Sequence, residues 1–374
     1  MLFILSGGGT AGHINPALAL AEELQARNHQ VLFAGTPQGI EGVLVRDAGI
    51  EFHSFEASGF NRNHPASFFT AVSKTLSSTK KAGKWFDGVK PDCVVCFGGY
   101  VTMSLGRAAI KRNIPLVIHE QNSVMGLANK YLAKQATSIA LTYKCSGNAI
   151  KQKGKIAITG NPVRKAVFAA TRKAGRKYLG VPENALMLLV FGGSLGARHL
   201  NNAIVGLKDS LLAEKNLFVV QISGPNEYET VREALALSPQ AEKRWLLFAY
   251  QNRMGDVLAA ADVVVSRAGA TSLAEISARR LPALLIPFPF ATEDHQTTNA
   301  QAFVSEGAAF MVADDALEGE SFRENLFRML REGDLRQQMS DAQARFKTES
   351  ASSLLADVVI DAAQAANNRY NSSS

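Results

Sequence analysis

Cysteine is scarce in this chain, with three among 374 residues. So few thiols argue against a small secreted domain held together by disulfides, and they suit a reducing compartment. Cys93 and Cys96 have the Cys-x-x-Cys spacing of redox and metal motifs. Both lie in the apolar stretch DCVVCF, and no second pair follows downstream. We therefore predict that these two thiols pack in a core.

Long apolar runs are missing as well. No stretch approaches the roughly 18 residues of a membrane span; even LPALLIPFPFA at 281–291 is shorter and broken by prolines. A short strand-like run follows Met1 directly, so we expect no signal peptide. The formal net charge is +7 and the pI about 9.3. This balance favours anionic partners, namely nucleotides, nucleic acid or an acidic membrane surface.

Apolar runs alternate with helical segments along the chain. The first-half runs are LFILS (2–6), QVLFAG (30–35), CVVCFG (93–98), PLVIHE (115–120), SIALT (138–142) and KIAIT (155–159). Continuous apolar runs are typical of strands buried on both faces of a parallel sheet. The pattern of strand, glycine turn and helix occurs a second time at 186–207. Further apolar runs start at 217, 244, 261 and 282.

Two such starts predict an α/β protein of two doubly wound, Rossmann-like domains that face each other across a cleft. We place the first domain at 1–160 and the second at 161–345, because Gly160 and Pro162 interrupt regular structure. We expect a helix at 346–366 to brace the first domain and a disordered tail at 367–374.

The stretch SGGGTAGHINP at 6–16 puts a glycine-rich turn between a strand and a helix, a frequent phosphate site. His13 stands where a P-loop needs lysine. The turn also fits the dinucleotide pattern G-x-G-x-x-G, but Gly35 and Thr36 end the second strand where NAD enzymes carry an acidic residue, and Glu41 comes later. The sequence therefore disfavours both ligand classes.

We predict instead that Asn15 caps the helix with Pro16 in its first turn, so that the loop amides point at an anion. The alternative is that the glycines serve only a tight turn. His13 at the rim is a candidate general base. A hydrogen bond that merely fixes the loop is an equal alternative for this side chain.

The turn FGGSLGA at 191–197 has the same features, and we expect a helix to begin near Leu195. Its backbone and the Ser194 hydroxyl fit a pyrophosphate, for which Arg164 supplies a positive charge. Further on, Glu275 follows another strand and fits two roles equally well. It either accepts both hydroxyls of a ribose or completes a capping box with Ser272.

Two polar loops follow strands in the two halves of the chain. They contain His119, Glu120, Gln121 and Asn122 in one half and Asp294, His295, Gln296 and Asn299 in the other. Such side chains favour a sugar nucleotide over a bare nucleotide. The sequence has no D-x-D motif and no cluster with metal-ligand spacing. We therefore expect no metal cofactor, and helix dipoles with Arg164 would stabilise a leaving pyrophosphate.

Seven motifs occur in an order that resembles the MurG family of peptidoglycan glycosyltransferases: GGGTAGHINPALALA, FGGY, HEQNSVMGLANK, TGNPVR, FGGSLGA, SRAGATSLAEI and DHQTTNA. The resemblance covers nearly the whole chain. It implies a GT-B fold of two Rossmann-like domains with an intervening cleft. It also implies an inverting transfer of N-acetylglucosamine (GlcNAc) from UDP-GlcNAc to the C4 hydroxyl of MurNAc in lipid I, which gives lipid II for cell-wall synthesis.

The resemblance implies roles for ten residues. The donor's sugar and pyrophosphate would lie by Thr10, Ala11 and Gly12, with His13 as the base. GlcNAc would contact Asn122 and Gln296, the phosphates Arg164 and Ser194, and the ribose Glu275. The uracil pocket would lie near AYQNRM at 249–254, where Gln251 departs from the family's more frequent sequence. That departure puts a side-chain contact to the base in doubt.

A lipid acceptor requires membrane contact, and residues 64–90 are the candidate segment. Its apolar side chains include Phe68, Phe69, Val72, Leu76, Trp85 and Phe86, interspersed with Lys74, Lys80, Lys81 and Lys84. An amphipathic helix packed on the sheet is the alternative. We expect a peripheral protein at the cytoplasmic face of the plasma membrane and, without an aromatic stacking platform, no nucleic-acid partner.

Two other functions share these features. A non-hydrolysing UDP-GlcNAc 2-epimerase has the same fold but would need no lipid acceptor. An idle sugar-nucleotide-binding protein would turn nothing over. Transfer of labelled GlcNAc to a lipid I analogue separates all three functions.

Overall fold

The computed structural model describes residues 1–57, 67–149, 156–193, 196–346 and 348–372. The chain divides into two compact units, one formed by Met1–Arg164 with Thr348–Ser374 and the other by Lys165–Lys347. The first division falls four residues beyond the expected position 160. Arg164 stays with the first unit because its Nε donates to Glu22 Oε1 at 2.7 Å.

The sheet of the first unit is parallel throughout, in the order β3-β2-β1-β4-β5-β6-β7. Its strands are β1 (Leu2–Ser6), β2 (Gln30–Gly35), β3 (Glu51–Ser54), β4 (Cys93–Cys96), β5 (Leu116–Glu120), β6 (Ser138–Leu141) and β7 (Ile156–Ile158). Cys93 and Cys96 are free and buried in the central strand β4, which confirms the core prediction. Burial raises the pKa of Cys96 to about 12, so this thiol stays protonated and unreactive.

Helices cover both faces of this sheet. They are α1 (Ala11–Ala26), α2 (Glu41–Asp47), α3 (Ser67–Val89), α4 (Tyr100–Lys111), α5 (Leu127–Leu132) and, at the end of the chain, α16 (Ala351–Ser372). Phe3 and Leu5 pack with α1 and α16 on one face, whereas Ile4 packs with α3 and α4 on the other. Successive side chains of a strand point to opposite faces, and both faces are covered here, so the strands are apolar without interruption.

The final helix α16 packs on the first unit, where Leu355 and Val359 are fully buried. It continues to Ser372, so the prediction of a disordered tail is wrong for residues 367–372. The sequence there has no glycine or proline to end the helix, and Asn367 Nδ2 donates to Asp92 Oδ1 at 3.2 Å. The last two residues lie outside the described part of the chain.

The second unit repeats the topology with the order β10-β9-β8-β11-β12-β13, again all parallel. Its strands are β8 (Leu186–Phe191), β9 (Leu217–Ile222), β10 (Trp245–Phe248), β11 (Val263–Ser266), β12 (Ala283–Leu285) and β13 (Ala309–Met311). Both sheets reverse their strand order beside the strand that precedes a glycine turn. In doubly wound sheets the ligand lies at the carboxyl ends of the strands at this point.

The helices of the second unit are α6 (Lys165–Ala169), α7 (Arg172–Leu179), α8 (Arg198–Gly206), α9 (Lys208–Ala213), α10 (Tyr228–Leu235), α11 (Met254–Ala260), α12 (Ala270–Ala278), α13 (His295–Ser305), α14 (Glu320–Arg331) and α15 (Gly333–Gln343). In the described residues, no helix of either unit is long and apolar enough to cross a membrane. The sequence did not predict β3 or β13. Both are short edge strands, which need no continuous apolar run.

A buried guanidinium ties the amino ends of the second unit's central strands together. Arg176 on α7 is fully buried, and its donors reach the carbonyls of Pro182, Glu183, Ala185 and Ala260. Its Nη2 also donates to Asp262 Oδ2 at 2.7 Å. The cluster lies at the amino ends of the strands, and the glycine turns lie at the carboxyl ends. Arg176 therefore contributes to stability rather than to ligand binding.

We predict that Arg176→Met destabilises the second unit by about 3–5 kcal/mol, because it removes the buried cation that pairs with Asp262 and the donor that four carbonyls share. Arg172 provides a matched control, since it pairs with Asp262 Oδ1 at 2.8 Å but its side chain is 41% exposed. Arg172→Met should cost less than about 1 kcal/mol. Urea unfolding of the full chain followed by circular dichroism measures both variants; equal losses would contradict the prediction.

Candidate functional site

The first glycine loop leads from β1 directly into α1. Thr10 is the N-cap residue and Ala11 the first helical residue, so Thr10, Ala11 and Gly12 lie where helix amides lack intrahelical acceptors. The predicted cap at Asn15 is wrong, because Asn15 and Pro16 lie within the helix. Proline is tolerated early in a helix beyond its preferred first position, and the preference misplaced the start by more than one turn.

His13 is held in one orientation by the loop that precedes it. Its Nδ1 lies 3.0 Å from the carbonyl oxygen of Gly8. A carbonyl can only accept, so Nδ1 carries a proton, and in the neutral ring Nε2 is the nitrogen with the free lone pair. The imidazole is half-buried. The bond to Gly8 is the one expected of a side chain that fixes the loop, and the role of His13 as a base stays a prediction.

The FGGY motif packs against this loop. Gly98 and Gly99 have φ values of +109° and +89°. A Cβ on Gly98 would lie 3.0 Å from His13 Nε2, and one on Gly99 would lie 2.5 Å from the Gly8 oxygen. Two glycines are therefore required for the contact. Tyr100 follows them at the start of α4 and is 64% exposed, an aromatic side chain beside the loop that the sequence analysis missed.

A carboxylate does reach the end of β2, although none was expected there. Glu41 on α2 is fully buried, and its Oε1 accepts from Thr36 N at 2.9 Å and Thr36 Oγ1 at 2.6 Å. A Cβ on Gly8 would lie 2.6 Å from the same oxygen. The carboxylate of Glu41 thus packs directly against the glycine loop at Gly8. Because the Glu41 side chain is fully buried, it is not accessible to the ribose of a ligand, so NAD is still disfavoured, for a different reason.

Glu120 organises the loop that follows β5. Its Oε1 accepts from the backbone and side-chain nitrogens of Asn122 at 3.1 and 3.3 Å. Its Oε2 accepts from Gly126 N at 3.0 Å and Asn129 Nδ2 at 2.9 Å. Asn122 is half-buried, whereas His119, Glu120 and Gln121 are buried. Of the four polar residues predicted to face a sugar from this loop, only Asn122 is accessible.

His119 links β5 to the TGNP segment. Its Nε2 lies 3.0 Å from the Gly160 carbonyl oxygen, and Gln121 Nε2 lies 3.1 Å from its Nδ1. These partners define a neutral ring that donates through Nε2 and accepts through Nδ1. Burial lowers the pKa of His119 to about 4, so the ring is uncharged at neutral pH. His119 is therefore a structural cross-link.

The second glycine turn, after β8, is equally tight. A Cβ on Gly196 would lie 2.1 Å from the Ser223 oxygen, and one on Gly192 would lie 2.5 Å from Ala197 N. The helix α8 begins at Arg198, three residues later than the predicted Leu195. Ser194, the predicted phosphate ligand, lies outside the described residues.

Arg164 and Gln251 have protein partners. Arg164 belongs to the first unit, where its Nε is bonded to Glu22 as described above, so it is not a free cation. Gln251 is 9% exposed, and its Oε1 accepts from Tyr178 Oη at 3.1 Å. The Arg253 guanidinium lies 4.2 Å from the centre of the Tyr178 ring. Tyr178 of α7 thus contacts two side chains of the segment predicted to hold uracil.

Glu275 and Gln296 lie on two helices of the second unit. The N-cap of α12 is Gly269, so Ser272 is inside the helix and the capping-box alternative for Glu275 is wrong. Glu275 is 9% exposed. Gln296 joins two loops, since its Oε1 accepts from Ala268 N at 3.1 Å and Phe288 N at 2.9 Å.

Metal ligands do not cluster in the described part of the chain, where no group of three or more His, Cys, Asp or Glu side chains could hold an ion. Independence from a metal cofactor stays a prediction.

The two units, with glycine turns at the carboxyl ends of their central strands, define the fold class of GT-B glycosyltransferases. The model of the glycosyltransferase family 28 N-terminal domain matches residues 3–141, and that of the C-terminal domain matches residues 187–355. The chain belongs to glycosyltransferase family 28.

Curated relatives match over nearly the full length. The chain is 36% identical to the UDP-N-acetylglucosamine–N-acetylmuramyl-(pentapeptide) pyrophosphoryl-undecaprenol N-acetylglucosamine transferase of Halothermothrix orenii, over 97% of this chain and 100% of the relative. It is 39% identical to the enzyme of the same name from Halalkalibacterium halodurans, over 87% of this chain and 90% of that one. The expected resemblance is thereby confirmed.

Solved structures agree. The crystal structure of MurG from Acinetobacter baumannii aligns with a TM-score of 0.74 at 27% identity, covering 96% of this chain and 99% of that one. The UDP-GlcNAc 2-epimerase of Neisseria meningitidis, solved with UDP-GlcNAc bound, aligns with a TM-score of 0.69 at 15% identity, covering 96% and 100%. The similarity to the epimerase shows a shared fold only.

Proposed function

We propose that the chain transfers GlcNAc from UDP-GlcNAc to the C4 hydroxyl of MurNAc in lipid I, with inversion at the anomeric carbon. The observation that carries this proposal is the His13 imidazole, whose Nδ1 is bonded to the Gly8 carbonyl and whose Nε2 lies next to Gly98, where it can accept a proton. Relatives over the whole length carry the name of this transferase.

In the proposed reaction the acceptor oxygen attacks C1 of GlcNAc and loses its proton to His13 Nε2. The bond between C1 and the phosphate oxygen breaks, and its electron pair leaves with UDP. Backbone amides at the Gly192–Gly196 turn and the start of α8 stabilise the charge of the departing pyrophosphate.

The donor contacts are assigned to the second unit. Glu275 accepts the ribose hydroxyls, and Gln296 reaches the sugar with its amide nitrogen while its oxygen holds Ala268 and Phe288. The hydrogen-bonded side chains of Gln251 and Tyr178 line the uracil site. Asn122, Thr10, Ala11 and Gly12 contact the sugar and pyrophosphate from the first unit, and Arg164 serves the phosphates only if its bond to Glu22 opens.

The test is an assay with labelled UDP-GlcNAc and a lipid I analogue. We expect label in a lipid-linked disaccharide, with the same yield in EDTA because the proposed reaction uses no metal. Interconversion of free UDP-sugars without the acceptor would indicate an epimerase. Donor binding without turnover would indicate an idle binding protein, and either result would overturn the proposal.

Two substitutions separate chemistry from donor binding. His13→Ala should lower kcat at least about 100-fold while the Kd of UDP changes little, because it removes only the base. Glu275→Ala should weaken UDP binding about tenfold or more, because the ribose loses a charged acceptor. Steady-state kinetics and calorimetry measure the two effects. His29→Ala is the histidine control, and a His13→Ala variant with normal kcat would exclude the base role.

We further propose that α3 contacts an anionic membrane. Val72 and Leu76 are 40% and 50% exposed, and Lys74, Lys80, Lys81 and Lys84 are all exposed. The predicted apolar surface is smaller than expected, because Phe86 is buried and Trp85 packs on His53 with ring centres 4.4 Å apart. The side chains of Phe68 and Phe69, and residues 64–66, lie outside the description. Peripheral attachment at the cytoplasmic face, with no nucleic-acid partner, stays part of this proposal.

The triple variant Lys80→Glu, Lys81→Glu, Lys84→Glu should bind vesicles of anionic phospholipid at least about 100-fold more weakly, since each lysine near such a surface contributes about 1 kcal/mol. The control Lys173→Glu, Lys177→Glu, Lys215→Glu changes the net charge equally on exposed lysines of the second unit. Vesicle co-sedimentation compares the two variants. Equal losses would mean that net charge, rather than α3, governs membrane binding.

A further inference from the structure

An exposed aromatic pair stands on the loop between β12 and α13. Phe288 is 41% exposed and Phe290 is 84% exposed, the highest value among the large apolar side chains of the described residues. Their ring centres are 5.7 Å apart at an interplanar angle of 72°, an edge-to-face arrangement. Two adjacent exposed rings form a surface that needs an explanation, unlike single scattered apolar residues.

The backbone holds Phe290 in place. The amide of Ala291 donates to the Phe288 carbonyl at 3.1 Å, which closes a four-residue turn with Pro289 and Phe290 at its centre. Proline favours the first of these central positions because its φ is fixed. The Phe288 amide is anchored on Gln296 Oε1 at 2.9 Å. Phe290 is thus presented outward from a closed and anchored turn.

A buried ion pair supports the inner ring. The guanidinium of Arg267 lies 5.5 Å from the centre of the Phe288 ring and pairs with Asp314 at 2.6 Å. Arg267 also donates to the carbonyls of Ile286 and Pro287, at the start of the same loop. The loop and the Phe288 ring are therefore held in place by the protein, and Phe290 is the more exposed of the two rings.

The charge beside the pair distinguishes a sugar from a lipid. Glu293 and Asp294 are exposed and adopt left-handed φ values of +53° and +51°, a costly conformation for two consecutive residues. Carboxylates repel an anionic membrane but accept hydrogen bonds from sugar hydroxyls. The C–H groups on one face of a hexose pack well on an aromatic ring. An aromatic face next to carboxylates and Gln296 therefore matches a sugar ring.

We propose that Phe290 stacks on the hexosamine ring of the bound sugar nucleotide and thereby determines specificity for the sugar. The proposal rests on the proposed function, and it adds a residue that neither the motifs nor the glycine turns identified. The ring contributes to binding of the sugar portion alone. The uridine and pyrophosphate, which are held elsewhere in the second unit, gain nothing from it.

Calorimetry of the full chain with UDP-GlcNAc and with UDP tests this assignment. Phe290→Ala should weaken UDP-GlcNAc about threefold to tenfold and leave UDP unchanged, because only the first ligand carries the ring. Phe290→Leu should behave like Phe290→Ala, since leucine keeps apolar area but no aromatic face, and Phe290→Tyr should bind normally. Tyr131→Ala removes an exposed aromatic of the first unit as a control.

The outcomes separate the two claims. If the unsubstituted chain does not bind UDP-GlcNAc, the proposed function fails. If it binds and Phe290→Ala binds equally, the stacking role alone is overturned. Binding to anionic vesicles that falls in Phe290→Ala and returns in Phe290→Leu, with donor affinity unchanged, would also overturn stacking and assign the ring to the membrane.

Discussion

The contact between the first glycine loop and the Gly98–Gly99 pair is the constraint on which the rest of the first unit's site depends. Backbone lies against backbone there, so close that a single methyl group at Gly99 would meet the Gly8 oxygen. The Gly8 carbonyl is in turn the group that fixes His13. The chemistry assigned to His13 therefore rests on missing side chains in a motif about 85 residues further along the chain.

Each unit adds a polar side chain that fixes its loops from within. Glu120 accepts two backbone amides and two side-chain amides in the first unit, and Gln296 accepts two backbone amides in the second. A side chain that accepts from several donors has few alternative conformations, because a change of conformation breaks several hydrogen bonds at once. Some polar residues that the sequence suggests as sugar contacts thus serve to hold the loops that carry the other contact residues.

The strands and the two-unit architecture could be predicted from the sequence because buried parallel strands leave long apolar runs. The motif likewise identified the glycine loop with Thr10, Ala11, Gly12 and His13, although the cap predicted at Asn15 put the start of the helix too late. The position of Glu41 could not be predicted, since its carboxylate reaches back to Thr36 from the following helix. The burial of Phe86 could not be predicted either, because helical periodicity shows which residues share an apolar face but not what packs against that face.

His13 and His119 illustrate the same limit in chemical terms. His13 lies in the first turn of α1 and His119 lies within β5, and each has a ring nitrogen hydrogen-bonded to a glycine carbonyl. His119 has partners on both nitrogens and no exposure, so its low pKa reflects a ring that stays neutral and exchanges no proton. His13 is half-buried, and its Nε2 faces a glycine instead of an amide donor. The partner of the second ring nitrogen is what separates the proposed base from the cross-link, and only the folded structure shows that partner.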